Sequence, residues 1–341
     1  MRGTRQHLRV GVIGCGFVAR HHHLPALDAL PELRVVALAD TNAAALARAS
    51  AGRDVRAHPD PAAVLEDPDV DVVAVCTPPL AHAELAQAAL EAGRHVLVEK
   101  PLAVSLDDGA RLVERATGAP GLATVGLVYR WHRLNRAARE LVRAGRVGTV
   151  SAVQAVATGD AAMSPERTAP WRTDPAQGGG PLLELGTHQV DLWRFVTGAE
   201  VSTVEATVGA TAATLAARLD DGTAASALLS MHAGDNQELA IYGTAATLRV
   251  RADRHDGLEL VPAGRLPGDP GMRLRRGARL TRALPGAVRA QRSGGDLAAA
   301  FRAQWRAFAR AIRGEAPLEV TLADGLRALE AIAAAVPEPV A

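Results

Sequence analysis

Residues 8–19 read Leu-Arg-Val-Gly-Val-Ile-Gly-Cys-Gly-Phe-Val-Ala, and they decide the fold. The apolar run Leu8 to Ile13 ends in glycines, and a helical pattern from Phe17 to Leu30 follows at once. In that context Gly14, Gly16 and Ala19 form a G-x-G-x-x-A fingerprint rather than a common glycine-rich turn. Gly14 makes the tight turn, Gly16 lets a pyrophosphate approach the backbone, and the small Ala19 lets the helix pack on the strand. Phe17 and Val18 open the helix, whose N-terminal amides face the anion.

Working outward, a second apolar run, Leu33 to Ala39, ends at Asp40, which lies 21 residues after Ala19. An acid there accepts hydrogen bonds from the adenosine ribose hydroxyls and repels a 2′-phosphate. Thr41 and Asn42 offer no cation to offset that repulsion, so NAD is favoured over NADP. The plainer alternative for Asp40 is helix capping. Thr41 is the expected cap of a helix over Asn42 to Ser50.

Strands at Val70–Val75, His95–Val98 and Leu122–Val125 alternate with helices at Ala81–Ala92 and Leu106–Ala116. Strands alternating with helices of ten or more residues imply a parallel sheet with right-handed crossovers. The pattern then changes. After a helix at Leu134–Ala144 come short, turn-bounded strands at Thr149–Ala157, Val201–Val208, Thr214–Leu219, Ala224–Met231, Glu238–Tyr242 and Thr247–Val250. Asp221-Gly222 is a hairpin signal between two of them. The expected class is α/β: an N-terminal doubly wound parallel sheet of the Rossmann type over 1–126, and a C-terminal α/β domain over 127–341 with an open, mostly antiparallel sheet. Two helices close the chain, Leu297–Arg313 and Ala323–Ala335, the first with Phe301, Trp305, Phe308 and Ile312 on one core stripe. Residues 265–292 hold eight arginines and one acid, Asp269, and read as a Gly/Pro-rich solvated excursion, the alternative being a phosphate-binding or subunit contact.

The net charge of +1 points to neither nucleic acid nor an anionic membrane, and no apolar run approaches the 18 or more residues of a span. Met1 to Arg9 has basic residues but no apolar h-region before the first strand, so no signal peptide is evident. Cys15 and Cys76 fall in loops of the parallel-sheet domain, which makes a disulfide framework improbable and suits a reducing cytoplasm.

One lysine, Lys100, stands among 37 arginines, in Val-Glu-Lys-Pro at the end of an apolar run. Lysine carries a compact ammonium, arginine a wide planar fork, so the two are not interchangeable at a single oxygen. Glu99 precedes Lys100 at the carboxyl edge of the sheet, and Pro101 fixes the turn that aims the ammonium. Cys76-Thr77-Pro78-Pro79 leaves a loop at the same edge, where Thr77 and Pro78 meet the cofactor. His82 follows, suited to the nicotinamide side or simply to capping or solvent. His21, His22 and His23 cannot converge on one ion, because consecutive helical residues point in different directions. Their role is packing and surface, and no metal site is expected.

Glu184 and His188 lie four apart after Gly178-Gly179-Gly180, which on a helix places a carboxylate and an imidazole on one face. Histidine suits general base work near neutral pH. Tyr129 and Arg130 follow the last parallel strand and are placed to line the substrate mouth, with an inter-domain ion pair as the alternative for Arg130.

These motifs together resemble the Gfo/Idh/MocA oxidoreductase family. The likeness rests on residues 11–19, 76–79 and 92–103, on the Gly-Gly-Gly to Asp191 segment, and on Ala-Asp-Gly-Leu-Arg-Ala-Leu at 323–329. It implies that Lys100 and His188 are catalytic with Glu184 as acidic partner, and that the C-terminal sheet forms a homodimer or homotetramer contact. Position 184 is usually Asp in the family, so a longer carboxylate relay is expected. The function expected is NAD-dependent oxidation of a secondary alcohol on a sugar, cyclitol or glycoside. The balance of −7 over 151–240, from 11 acids and four arginines, hints at an amino-sugar or aminoglycoside-type substrate. The alternatives are an enzyme that recycles its NAD during glycoside cleavage or sugar exchange, and a dinucleotide-sensing regulator.

Overall fold

The computed structural model describes residues 7–160, 169–265 and 269–336. They fall into two compact units, one of residues 1–128, 164–179 and 301–330, the other of 129–163, 180–300 and 331–341.

The first unit is a six-stranded parallel sheet in the order β3-β2-β1-β4-β5-β6, with β1 at Leu8–Ile13, β2 at Leu33–Ala39, β3 at Arg56–His58, β4 at Val72–Val75, β5 at His95–Val98 and β6 at Ala123–Val125. The strand order reverses between β1 and β4, the point where such sheets bind dinucleotides. Central strands have helices on both faces, so they read as unbroken apolar runs; all four residues of β4 are fully buried. The helix after β1 runs from Phe17 to Asp28 but widens into a π turn at Ala19–His23. Pro25 lies just beyond, with no N–H to give back and a ring that crowds the preceding turn. Asn42, not Thr41, caps the next helix, α2 (Ala43–Ser50), its side-chain oxygen accepting from the amides of Ala44 and Ala45. The amide has reach that the threonine one residue earlier lacks. Strand β3 was not legible, because its three residues are an exposed edge with no apolar alternation.

Two late helical stretches complete this unit. Phe301, Trp305 and Phe308 form its buried stripe, as the spacing indicated. Residues 322–330 pack through Gly325, where a Cβ would lie 3.1 Å from Val125 and 3.2 Å from Leu102. The glycine of Ala-Asp-Gly-Leu is thus a close-approach residue.

The second unit is a mixed sheet in the order β13-β12-β11-β7-β10-β9-β8. Its strands are β7 (Val150–Asp160), β8 (Val201–Val208), β9 (Ala212–Leu219), β10 (Ala224–Ser230), β11 (His232–Gly243), β12 (Ala246–Arg251) and β13 (Leu258–Pro262). All pairs are antiparallel except β10 on β7. Alternation buries Ala225, Ala227 and Leu229 on the helix side and leaves Leu228 on the open face. Helices at Arg133–Arg143 and Thr187–Thr197 cover the inner face.

The described residues of 265–292 are largely exposed, in keeping with a solvated stretch, but they are regular. Residues 266–268 lie outside the described residues, but Pro270–Arg292 is a 23-residue helix, with Asp269 accepting the Gly271 amide at its start. Its internal Gly277, Pro285 and Gly286 weaken a helix, yet between them arginine, leucine and alanine are strong helix formers. Among the described residues no helix is long and apolar enough to cross a membrane.

Gly325→Val should overpack the contact with Val125 and Leu102 and lower the unfolding free energy by about 1–3 kcal/mol. Urea titration checks this, and an unchanged midpoint would show that the helix does not need the close approach.

Candidate active site

At the carboxyl edge of the parallel sheet, Gly14 adopts a φ of +92°, and a Cβ there would lie 2.5 Å from the carbonyl carbon of Cys76. No other residue fits that turn. Gly16 has no atom within 4 Å of where its Cβ would stand, an open cradle of the kind a pyrophosphate needs. Ala19 is fully buried against the strand. The Asp40 carboxylate accepts the Cys15 amide at 2.6 Å and the Asn42 amide at 2.7 Å, one on each oxygen. It thereby pins the glycine loop, and each oxygen keeps a further lone pair for a ribose hydroxyl. The residues present fit NAD: Gly14 to Ala19 would hold the phosphates, and Asp40 would hold the ribose.

Thr77 and Pro78 lie in the loop after β4. His82 is buried, with Nδ1 2.7 Å from the Pro101 carbonyl and Nε2 2.9 Å from the Thr77 carbonyl. Burial lowers its pKa, against the two carbonyls that favour its charged form. His82 is therefore a brace between the Thr77 loop and the Lys100–Pro101 loop, neither a helix cap nor a solvent-facing group. Cys15 and Cys76 are buried free thiols; burial and the neighbouring Asp40 push Cys15 up to about 12.

Glu99 and Lys100 follow β5. The Lys100 amide donates to Glu99 Oε2 at 3.1 Å, and His23 Nε2 lies 2.8 Å from Oε1. Burial pushes the Glu99 carboxyl up, but His23 and the Lys100 ammonium outweigh it and hold it below its ordinary range. Gly126 makes room for this carboxylate, since a Cβ there would stand 2.8 Å from Oε1. His23 packs as expected, fully buried against Phe301 and Trp305, and it also reaches Glu99, a contact that the sequence did not announce. The signal for its burial was available: Ala19, His23, Leu27 and Leu30 fall at spacings of four, four and three, and all four are buried. The three consecutive histidines do diverge. His21 meets Phe17, His22 stacks on Phe301, and His23 reaches Glu99. Gly178, at φ +86°, lets the glycine run cross directly over Pro79, whose Cβ would be 2.5 Å from a side chain there.

In the second unit, Tyr129 and Arg130 lie in a 3-10 turn at Val128–Trp131. The Tyr129 ring meets the His188 ring edge-on at 4.6 Å. Glu184 sits in a π turn, Leu182–Gly186, which leads into the helix carrying His188, so the pair spans a change of helix type rather than a regular α-helical face. Arg130 is buried and grips Asp191 of the same unit, Nε at 2.9 and 3.0 Å and Nη2 at 2.6 Å. Arg194 adds a contact to Asp191 at 3.5 Å and pairs with Glu200. This buried network anchors the helix that presents His188.

Asp191→Ala should leave two guanidiniums buried with too few acceptors and lower the unfolding free energy by about 3–5 kcal/mol. NAD affinity, which depends on the first unit, should stay within about twofold by calorimetry. A loss below about 1 kcal/mol would show that the network is not needed.

Residues 8–127 match the description "Oxidoreductase family, NAD-binding Rossmann fold", and residues 135–249 match the GFO/IDH/MocA C-terminal domain. The chain is 32% identical over 212 residues to levoglucosan dehydrogenase of Pseudarthrobacter phenanthrenivorans, a stretch covering 59% of this chain and 54% of that one. It spans about half the length of the first curated relatives it matches. Among solved structures, the WlbA dehydrogenase from Bordetella pertussis with NADH and UDP-GlcNAcA matches with a TM-score of 0.80 at 23% identity, over 97% of this chain and 95% of that one. GenD2 from gentamicin A biosynthesis, in complex with NAD, matches with a TM-score of 0.79 at 22% identity, over 98% and 95%. The fingerprint loop, the Glu-Lys-Pro turn and both matched stretches agree, and the chain belongs to the GFO/IDH/MocA family of NAD-binding oxidoreductases.

Proposed function

We propose that this protein oxidises a secondary alcohol of a sugar, cyclitol or glycoside to the ketone, reversibly, with NAD preferred over NADP. The observation that carries the reading is the position of the chain's one lysine. Lys100 stands after β5, at the sheet edge that also holds the Gly14–Ala19 loop and Asp40, with its backbone fixed on a buried carboxylate. NAD, when bound, supplies the hydride acceptor. In this reading His188 serves as the general base with Glu184 orienting its ring, and the Lys100 ammonium serves to stabilise the negative charge that develops on an alcohol oxygen. Tyr129 packs on His188 and restricts its ring. Arg130, committed to Asp191, supports the helix and leaves substrate contact to Tyr129.

The substrate class is narrowed by charge. The stretch 151–240 carries a balance of −7, and within it Glu184 stands four residues before His188 at the candidate site. A carboxylate beside the general base suits a substrate that carries an ammonium group, and the likeness to GenD2 agrees with an amino sugar. The exposed Leu228, at 47%, lies on the open face of the mixed sheet, which we assign to contact between subunits. Free thiols in the cofactor loops suit a reducing cytoplasm.

Lys100→Ala should keep NAD affinity and lose turnover by about 100-fold or more. Lys100→Arg should fail as well, because a broad guanidinium does not fit one alcohol oxygen. NADH absorbance across a screen of polyols, glycosides and amino sugars gives the rates, and wild-type turnover by Lys100→Ala refutes the role. Turnover without net NADH would favour the NAD-recycling alternative. Asp40→Ser should reduce the preference for NAD over NADP at least tenfold; equal preference in the unaltered protein would overturn that assignment.

A further inference from the structure

We propose that Trp305 is a tautomer lock on His23, which keeps Glu99 a net anion beneath Lys100 and makes Trp305 and His23 positioning residues for the catalytic lysine. This rests on Lys100 being catalytic, as proposed above, but its first test needs no turnover. Trp305 Nε1 donates to His23 Nδ1 at 3.0 Å, and His23 Nε2 lies 2.8 Å from Glu99 Oε1. An indole nitrogen only donates. His23 Nδ1 must therefore present a lone pair, which leaves one proton, on Nε2, to be given to Glu99. An imidazolium would set N–H against N–H, and Trp305 and His23 are both fully buried, so no solvent relieves that clash.

The lock matters because the surroundings pull the other way. Burial disfavours charge on His23, but the Cys76 sulfur and the Glu99 carboxylate outweigh it and push its pKa up to about 10, against the donor geometry that the indole imposes at Nδ1. The groups facing His23 are Cys76 at the end of β4, Glu99 at the end of β5, and the uncharged Trp305 and Phe301 from the Phe301–Ile312 stretch. Facing Glu99 are His23 and Lys100, and its field also reaches His82. An unlocked His23 would take a second proton at neutral pH and form a closed ion pair with Glu99. The carboxylate would then have less charge to offer the ammonium of Lys100, and its hold on the Lys100 amide would weaken.

Trp305→Phe keeps an aromatic body and removes only the N–H. Imidazole nitrogen-15 shifts of the full-length protein, with His23 assigned by its absence in His23→Gln, report the proton state directly. The expected result is a neutral Nε2–H tautomer in the unaltered protein from pH 6 to 8, and a doubly protonated His23 in Trp305→Phe over the same range. The variant should also lose turnover about tenfold in kcat, with KM for NAD unchanged. A doubly protonated His23 in the unaltered protein at pH 7 overturns the lock, and that measurement stands even if Trp305→Phe does not fold. A Trp305→Phe protein with neutral His23 or full kcat overturns it too. If Lys100→Ala keeps its turnover while the tautomers behave as described, the catalytic reading fails and the lock remains.

Discussion

A parallel sheet forces every strand-to-helix turn to one edge, and this protein is organised around that constraint. β1, β2, β4 and β5 each deliver one element there: the glycine loop at Gly14–Ala19, the Asp40 carboxylate, the loop at Thr77–Pro79, and the Glu99–Lys100 turn. None of these segments is close to the others in sequence. Their convergence follows from strand order, and buried hydrogen bonds then fix the details. Asp40 ties the end of β2 to the loop after β1, and His82 ties the loop after β4 to that after β5.

Charge is handled differently in the two units. In the second unit buried charges are matched in a network, Arg130 and Arg194 sharing Asp191 while Glu200 completes the set. Such a network anchors a helix. In the first unit, Glu99 is served by the His23 imidazole and a backbone amide and stands next to the only primary amine on a side chain. A buried carboxylate kept ionised by hydrogen bonds, rather than closed off by arginine, retains charge for a functional neighbour.

The elements that the sequence made legible share a physical cause. Leu8–Ile13, Leu33–Ala39 and His95–Val98 are apolar runs bounded by glycine, acid or proline, and their ends agree with the structure. Leu106–Ala116 and Val201–Val208 agree as well, each with a clear boundary. Arg56–His58 and Leu258–Pro262 escaped notice because edge strands need little apolar alternation. Pro270–Arg292 escaped because glycine and proline outweighed the helix formers between them in the reading. At the site, the motif residues were identifiable by type and spacing, whereas His23 and Trp305, 282 residues apart, meet only through the fold. Arg130 was visible as a charge after the last parallel strand, but its commitment to Asp191 depends on a helix 61 residues on.

Because Lys100 is the only lysine, its ε-amine can be modified without a mutation. Trinitrophenylation followed by peptide mass spectrometry, with turnover measured on the same samples, tests the central role of this amine most directly. Activity should fall in proportion to modification at Lys100, and NAD together with an alcohol substrate should protect both. Full modification of Lys100 with unchanged turnover would contradict the account.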